Sequence, residues 1–195
     1  MIVVVRHGQT ASNARGLLLG RDDPPIDATG HAQAAAAARA LETLGPVARV
    51  VSSPLRRARE TAAVIAGAAR VDIDERWIEL DYGALEGMPI ADVPAETWAR
   101  WRADPDFAPG GGETLRALGR RVRDACTELL AEAAEHHVVI VTHVSPVKAA
   151  VVWALDVDDA VTWRTHVAPG SITRIGVRGG STVLLSFNEV PVDSR

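Results

Sequence analysis

A chain of 195 residues, 47% hydrophobic and 24% charged, can bury one sizeable core and is too apolar to stay disordered. Its formal charge of -4 and pI near 5.9 provide no basic field, which disfavours nucleic acid as a partner and requires any anion site to be local. Cys126 is the only cysteine, so no internal disulfide can form, and no apolar run approaches a membrane span. Met1 lies directly against the first expected strand, which cleavage of a signal peptide would remove, so a cytoplasmic protein with no membrane partner is expected.

Val3-Val4-Val5 is a β-branched run that stops at Arg6-His7-Gly8-Gln9-Thr10, as a buried strand does when it delivers charge to its carboxyl end, where open α/β sheets bind ligands. Arg6 and His7 then fall where an anion would be held, and Gly8 lets the backbone approach it. Residues 12–25 form a polar loop in which Asn13 is either a turn residue or a donor to that anion. Thr29 is expected to cap a helix that runs to about Leu44 and stops at Gly45-Pro46. Arg49-Val50-Val51-Ser52 repeats the strand pattern, and Ser53-Pro54 breaks it into a helix from Leu55 to Ala69. Its opening turns carry Arg56, Arg57, Arg59 and Glu60. They suit a solvated face, but arginine there opposes the helix dipole, which favours an anion bound between them.

Val71-Asp72-Ile73 suits an edge strand, and the stretch from Trp77 to Gly87 sets Glu79 and Glu86 on either side of a glycine-bearing turn. Residues 88–112, rich in Pro, Asp and Trp, read as a cap or lid. Trp98 and Trp101 are expected to seal it against the body rather than bind substrate. Gly110-Gly111-Gly112 is a hinge or turn, since neither dinucleotide nor P-loop spacing follows it. A long helix is predicted from Glu113 to about His136, with Leu115, Leu118, Val122, Cys126 and Leu129 along its apolar face. A second buried strand, Val138 to Thr142, ends at His143. A helix follows from Pro146 to about Leu155, then a polar stretch with Trp163 and His166, then a hairpin turned at Gly179-Gly180.

Two strands that end in His7 and His143, with a third feeding an arginine-rich helix start, can converge on one anion. Phosphoryl transfer needs a nucleophile, donors for three equatorial oxygens and an acid for the leaving oxygen, and His, Arg and Glu supply all three. Metal binding is the rival use of histidine, but neither His7 nor His143 has a second ligand at suitable spacing.

In combination, Arg6-His7-Gly8-Gln9-Thr10, Ser53-Pro54-Leu55-Arg56-Arg57-Ala58-Arg59-Glu60-Thr61-Ala62, Glu79 with Tyr82-Gly83 and Glu86-Gly87, and Thr142-His143 resemble the histidine phosphatase, or phosphoglycerate mutase-like, superfamily over essentially the whole chain. The resemblance implies a single domain, 1–195, built as a three-layer α/β/α sandwich on a mostly parallel sheet, with 88–112 as its cap. It makes His7 the residue that is phosphorylated, Glu79 the acid and His143 the second catalytic histidine. Arg6, Asn13 and Arg57 become phosphate contacts, with Gly8 and Val144 completing the substrate-binding set, and neither metal nor cofactor is implied. Val144-Ser145-Pro146 stands where mutases of the family carry Gly-Asn-Ser, which points to the phosphatase branch. The expected activity is metal-independent hydrolysis of a small-molecule phosphate ester through a phosphohistidine. Mutase-type transfer and a non-catalytic phospho-ligand module are the alternatives, and a homodimer is left open.

Overall fold

The computed structural model describes residues 1–191. In chain order its elements are β1 (Ile2–Arg6), α1 (Ala11–Ala14), α2 (Ala28–Glu42), β2 (Val47–Ser52), α3 (Arg56–Ala66), β3 (Val71–Ile73), α4 (Ala95–Ala103), α5 (Leu115–Glu128), α6 (Leu130–Glu135), β4 (His137–Thr142), α7 (Val144–Leu155), β5 (Ile172–Arg178) and β6 (Ser181–Glu189), with short 3-10 turns between several of them. One sheet of order β3-β2-β4-β1-β5-β6 gathers the strands. β3, β2, β4 and β1 run parallel, β5 is antiparallel to β1, and β6 is antiparallel to β5.

The central strands are near-continuous Val and Ile because both of their faces are covered. Ile2, Val4, Val51, Val138 and Ile140 pack on the face that receives Leu118, Val122 and Cys126 of α5 and Val147, Ala150 and Trp153 of α7. Val3, Val5, Val50, Val139 and Val141 point the other way, against Ala37 and Leu41 of α2 and Ala58 and Ala62 of α3. The period-2 alternation thus gives each strand to two cores at once, which is the expected α/β/α sandwich; each buried Val or Ile contributes about 1.5–3 kcal/mol. Burial pushes the Cys126 thiol up, leaving it inert. Among the described residues no helix is long and apolar enough to cross a membrane.

Several boundaries differ from the sequence expectation. Asp27, not Thr29, caps α2, its carboxylate accepting the Gly30 N–H at 2.8 Å where the helix dipole favours negative charge. α3 ends at Ala66 because Gly67 turns the chain at φ 58°. The long helix is split at Leu129 into α5 and α6. α7 begins at Val144, two residues before Pro146, since a proline in the first turn forfeits no helical hydrogen bond.

The cap is not a detached lid. Val93 and Trp101 are buried, and with Met88, Trp98 and Phe107 they join the core that contains α5 and α7. Its start pairs with residues 16–18, through Leu18 N–H to the Met88 carbonyl and Ile90 N–H to the Gly16 carbonyl, both 2.9 Å. Of the two readings of the triple glycine the structure has the turn, a 3-10 turn over Pro109–Gly111, and its two ends are packed: a Cβ on Gly112 would lie 2.1 Å from the Asp81 oxygen, and one on Gly110 2.4 Å from the Tyr82 oxygen.

Gly8 also has a reason the sequence hid. A Cβ there would meet the Gly30 carbonyl oxygen at 2.3 Å, and one on Gly30 would meet the Gln9 oxygen at 2.2 Å. Gly8 lets the chain leaving β1 cross the first turn of α2, backbone on backbone. Gly8→Ala is therefore expected to destabilise by about 1–3 kcal/mol, a Tm loss of roughly 2–12 °C in thermal unfolding. An unchanged Tm would show that this crossing has slack.

Candidate active site

β1 and β4 are parallel neighbours with Arg6 in register with Thr142, so the next residue of each leaves adjacent strand ends. His7 and His143 consequently meet, their ring centroids 5.0 Å apart. β2 ends beside them at Ser52 and turns through Ser53-Pro54 into α3, whose first turn drives Arg57 into the same place. Of the four charged residues there only Arg57 is buried; Arg56 and Arg59 are exposed, and Arg56 pairs with Glu60 at 2.7 Å. This separates Arg57 from Arg56.

The hydrogen bonds fix the protonation of His7. Its Nδ1 lies 2.7 Å from the Gly8 carbonyl, which can only accept, so Nδ1 carries the hydrogen. Nε2 keeps its lone pair and accepts from Arg57 Nε at 3.3 Å. Burial, then the charges of Arg57 and Arg6, hold His7 well below the usual imidazole range. The same burial, with Arg57 foremost among the neighbouring charges, does so for His143. His143 Nε2 lies 2.7 Å from Ser53 Oγ, while its Nδ1 is buried without a partner. Two neutral imidazoles thus stand among guanidinium cations in a chain of net negative charge.

Arg57 is held by the loop it underlies, donating through Nη1 to the Asp22 carbonyl at 2.6 Å and through Nη2 to the Gly20 carbonyl at 2.7 Å. Glu86 grips that loop from its other polarity, accepting the Gly20 and Arg21 N–H groups at 2.7 and 2.9 Å. Arg6 donates to the Val167 carbonyl at 2.6 Å, and its Nε is buried without a partner. Burial brings the Arg6 pKa down to about 10, against the pull of Glu79.

The two glutamates therefore part company. Glu86 is spent on the loop, whereas Glu79, buried, opens on a cavity that Arg6 and His7 also line. Glu79 Oε1 accepts the Leu80 N–H at 2.7 Å and the Ser145 N–H at 3.3 Å, and Arg121 braces the segment through the Arg76 carbonyl at 2.6 Å. Asn13 lines the cavity from α1, and its Oδ1 accepts the Thr10 N–H at 3.1 Å, the turn contact that was one of its two readings. Val144 lines it as the first residue of α7. Gly8 faces Gly30 instead.

The cavity measures about 480 Å³. Trp98 stacks on Trp101 at 5.3 Å, Trp163 meets Trp101 edge-on at 5.3 Å, and all three line it. The cap indoles both seal the segment and form the wall. Lys148, Thr162, Trp163 and Ile90 are lining residues that sequence reasoning missed. Lys148 had a signal, its i+4 spacing from Val144, hidden by starting the helix at Pro146; Trp163 had none. A further cavity of about 540 Å³, lined by Leu41, Val47, Ile65 and Arg70 among others, contains none of these groups. Among the described residues no group of three or more His, Cys, Asp or Glu could hold a metal ion.

The histidine phosphatase superfamily (branch 1) profile matches residues 2–190. A bifunctional protein of Mycobacterium tuberculosis is 36% identical over 191 residues, 94% of this chain and 52% of its own, so the chain spans about half the length of that relative. Phosphoserine phosphatase 1 of Hydrogenobacter thermophilus is 30% identical across 96% of this chain and 91% of its own. Among solved structures, a mycobacterial glucosyl-3-phosphoglycerate phosphatase in complex with VO3 superposes with a TM-score of 0.86 at 31% identity, over 96% of this chain and 98% of that one. With paired histidines at adjacent strand ends and a profile match over nearly its whole length, the chain belongs to the histidine phosphatase superfamily, branch 1.

Proposed function

We propose that the protein is a metal-independent phosphomonoesterase that works through a phosphohistidine on His7. One observation carries the reading: His7 Nε2 has its lone pair held unprotonated beneath Arg57, in a cavity that Glu79 shares. In the first step Nε2 bonds to phosphorus, the ester P–O bond breaks, and Glu79 gives its proton to the departing oxygen. In the second step Glu79 takes a proton from water, the water oxygen bonds to phosphorus, and the N–P bond breaks to release inorganic phosphate. Arg6 and Arg57 supply fixed positive charge to the phosphoryl oxygens. Asn13 offers its NH2 group, and Val144 a first-turn N–H that no helical carbonyl can accept. His143 contributes Nδ1–H if the Ser53 hydroxyl donates to Nε2, the arrangement that gives the orphaned Nδ1 a partner when substrate is bound.

Relatives named as phosphatases support hydrolysis, and the cavity's size supports a small-molecule ester as partner. A probable phosphoglycerate mutase of Yersinia enterocolitica, 36% identical over 138 residues, covering 66% of this chain and 63% of its own, keeps isomerisation as the reading to beat. The test is release of phosphate from p-nitrophenyl phosphate in EDTA, followed by incubation with 3-phosphoglycerate and a bisphosphoglycerate primer. Sustained release in chelator with negligible 2-phosphoglycerate is expected. Isomerisation faster than phosphate release would make the protein a mutase, and no turnover of any ester would leave a binding module.

A further inference from the structure

The chain has one lysine among 21 basic side chains, and it lines the active-site cavity. Lys148 sits four residues after Val144 on α7, so the two share a helix face, with Lys148 about 6 Å farther along the axis from the histidines. Its Nζ donates to the Thr162 carbonyl at 2.9 Å. An ammonium has three hydrogens, and among the described residues this tether is its only hydrogen bond. Thr162 and Trp163 lie on the short turn Asp159–Arg164, so the tether also presents the cation beside the indole wall.

We propose that Lys148 determines substrate choice by binding a second anionic group, a carboxylate or a second phosphate, on the organic part of the ester. The proposal rests on the phosphomonoesterase reading. The histidine end of the cavity already has Arg6 in its wall, with Arg57 and His143 packed against His7 behind it, so a cation one helical turn away meets what the phosphorus carries, not the phosphorus itself. Its position lets a short carbon chain join the two anions. Burial and the charge of Arg6 lower the Lys148 pKa while Glu79 opposes them, and with one hydrogen on the Thr162 carbonyl the ammonium has two left for an arriving anion. Arg6 is the other cation in the lining and stands at the histidine end, while Trp98, Trp101 and Trp163 offer ring surface and no charge.

The test compares 3-phosphoglycerate, glycerol 3-phosphate and propane-1,3-diol bisphosphate as substrates of wild type, Lys148→Met, Lys148→Gln and Lys148→Arg. Loss of a charge-assisted contact is expected to lower kcat/KM for an anion-bearing ester about 10- to 100-fold in Lys148→Met, mainly through KM, with a much smaller fall for glycerol 3-phosphate. Lys148→Gln, which keeps a donor for Thr162 without the charge, should lose the same selectivity, and Lys148→Arg should recover part of it. The carboxylate and bisphosphate arms tell which anion the lysine prefers. Equal falls on all three esters, or none, would overturn the proposal and leave Lys148 as a tether for Thr162. If wild type hydrolyses no ester, the esterase reading fails by itself. The lysine is then judged by calorimetric binding to a His7→Ala chain, where equal affinities for 3-phosphoglycerate and glycerol 3-phosphate would overturn it and a preference for the former, abolished by Lys148→Met, would support it.

Discussion

His7→Ala is expected to reduce turnover of p-nitrophenyl phosphate on the order of 10⁶-fold, the scale of removing an enzyme's nucleophile. Acid-quenched wild-type enzyme should show no protein-bound phosphate, because a phosphohistidine is acid-labile, whereas an alkaline quench after labelling should retain it; the alanine chain should retain none. Failure of the wild type to hold label under alkali, or a variant with normal rates, would sink the assignment. The pH dependence comes from the same geometry. Burial, Arg57 and Arg6 depress the His7 pKa, so its neutral, nucleophilic form persists as pH falls through the usual imidazole value of 6.5. The acid limb of kcat/KM should therefore lie below that value. Folding carries the cost. An unfolded chain takes up protons at His7 and His143 near pH 6.5 while the folded chain does not, so their contribution is intact above that pH and erodes below it. The erosion amounts to about 1.4 kcal/mol per pH unit for each histidine until its folded pKa is reached. Denaturant titrations at pH 7.5 and 5.5 would measure it.

Glu79→Gln is expected to cut hydrolysis of an alkyl ester such as glycerol 3-phosphate by about 10²–10⁴-fold, the range of one general acid, and to spare p-nitrophenyl phosphate by comparison. An alkoxide cannot leave without the proton, whereas p-nitrophenolate leaves largely unaided. Glu86→Gln should act differently, since Glu86 accepts N–H groups of the loop whose carbonyls hold Arg57. Slackening that loop would displace Arg57, so both substrates should lose rate alike. A selective loss at Glu86, or equal losses at Glu79, would exchange the two roles.

Much of the site is legible in the sequence because strands buried on two faces leave an unmistakable Val and Ile signature, and the histidines stand immediately beyond two of those strands: His7 after Val5-Arg6, His143 after Thr142. Val144, and the choice of Arg57 over Arg56 and of Glu79 over Glu86, come only through motif resemblance, since nothing in residue spacing tells a buried arginine from the exposed Arg56 beside it. The glycines whose packing the sequence hides share a cause. Gly8, Gly110 and Gly112 suggest ligand approach or flexibility in the bare sequence, yet each is fixed by another backbone from far along the chain, and a sequence does not announce which glycine faces which carbonyl. The cavity wall escapes for the same reason: Trp163 reaches it from a turn over 60 residues beyond Trp98.

The seam where Gly110 and Gly112 press on Asp81 and Tyr82 also shapes how the protein can diverge. Bare backbone against bare backbone offers mutation almost nothing to adjust, and it fixes the end of the cap to the segment that carries Glu79, while the cap's start is pinned to residues 16–18. Between those two moorings α4 is held by side chains alone, Trp101 in the core and Trp98 packed against it. Exchange of one indole for another side chain at Trp98 or Trp101 would recut the cavity wall while Glu79 stays where it is, so on the proposed reading descent can trade one substrate for another without relearning the chemistry.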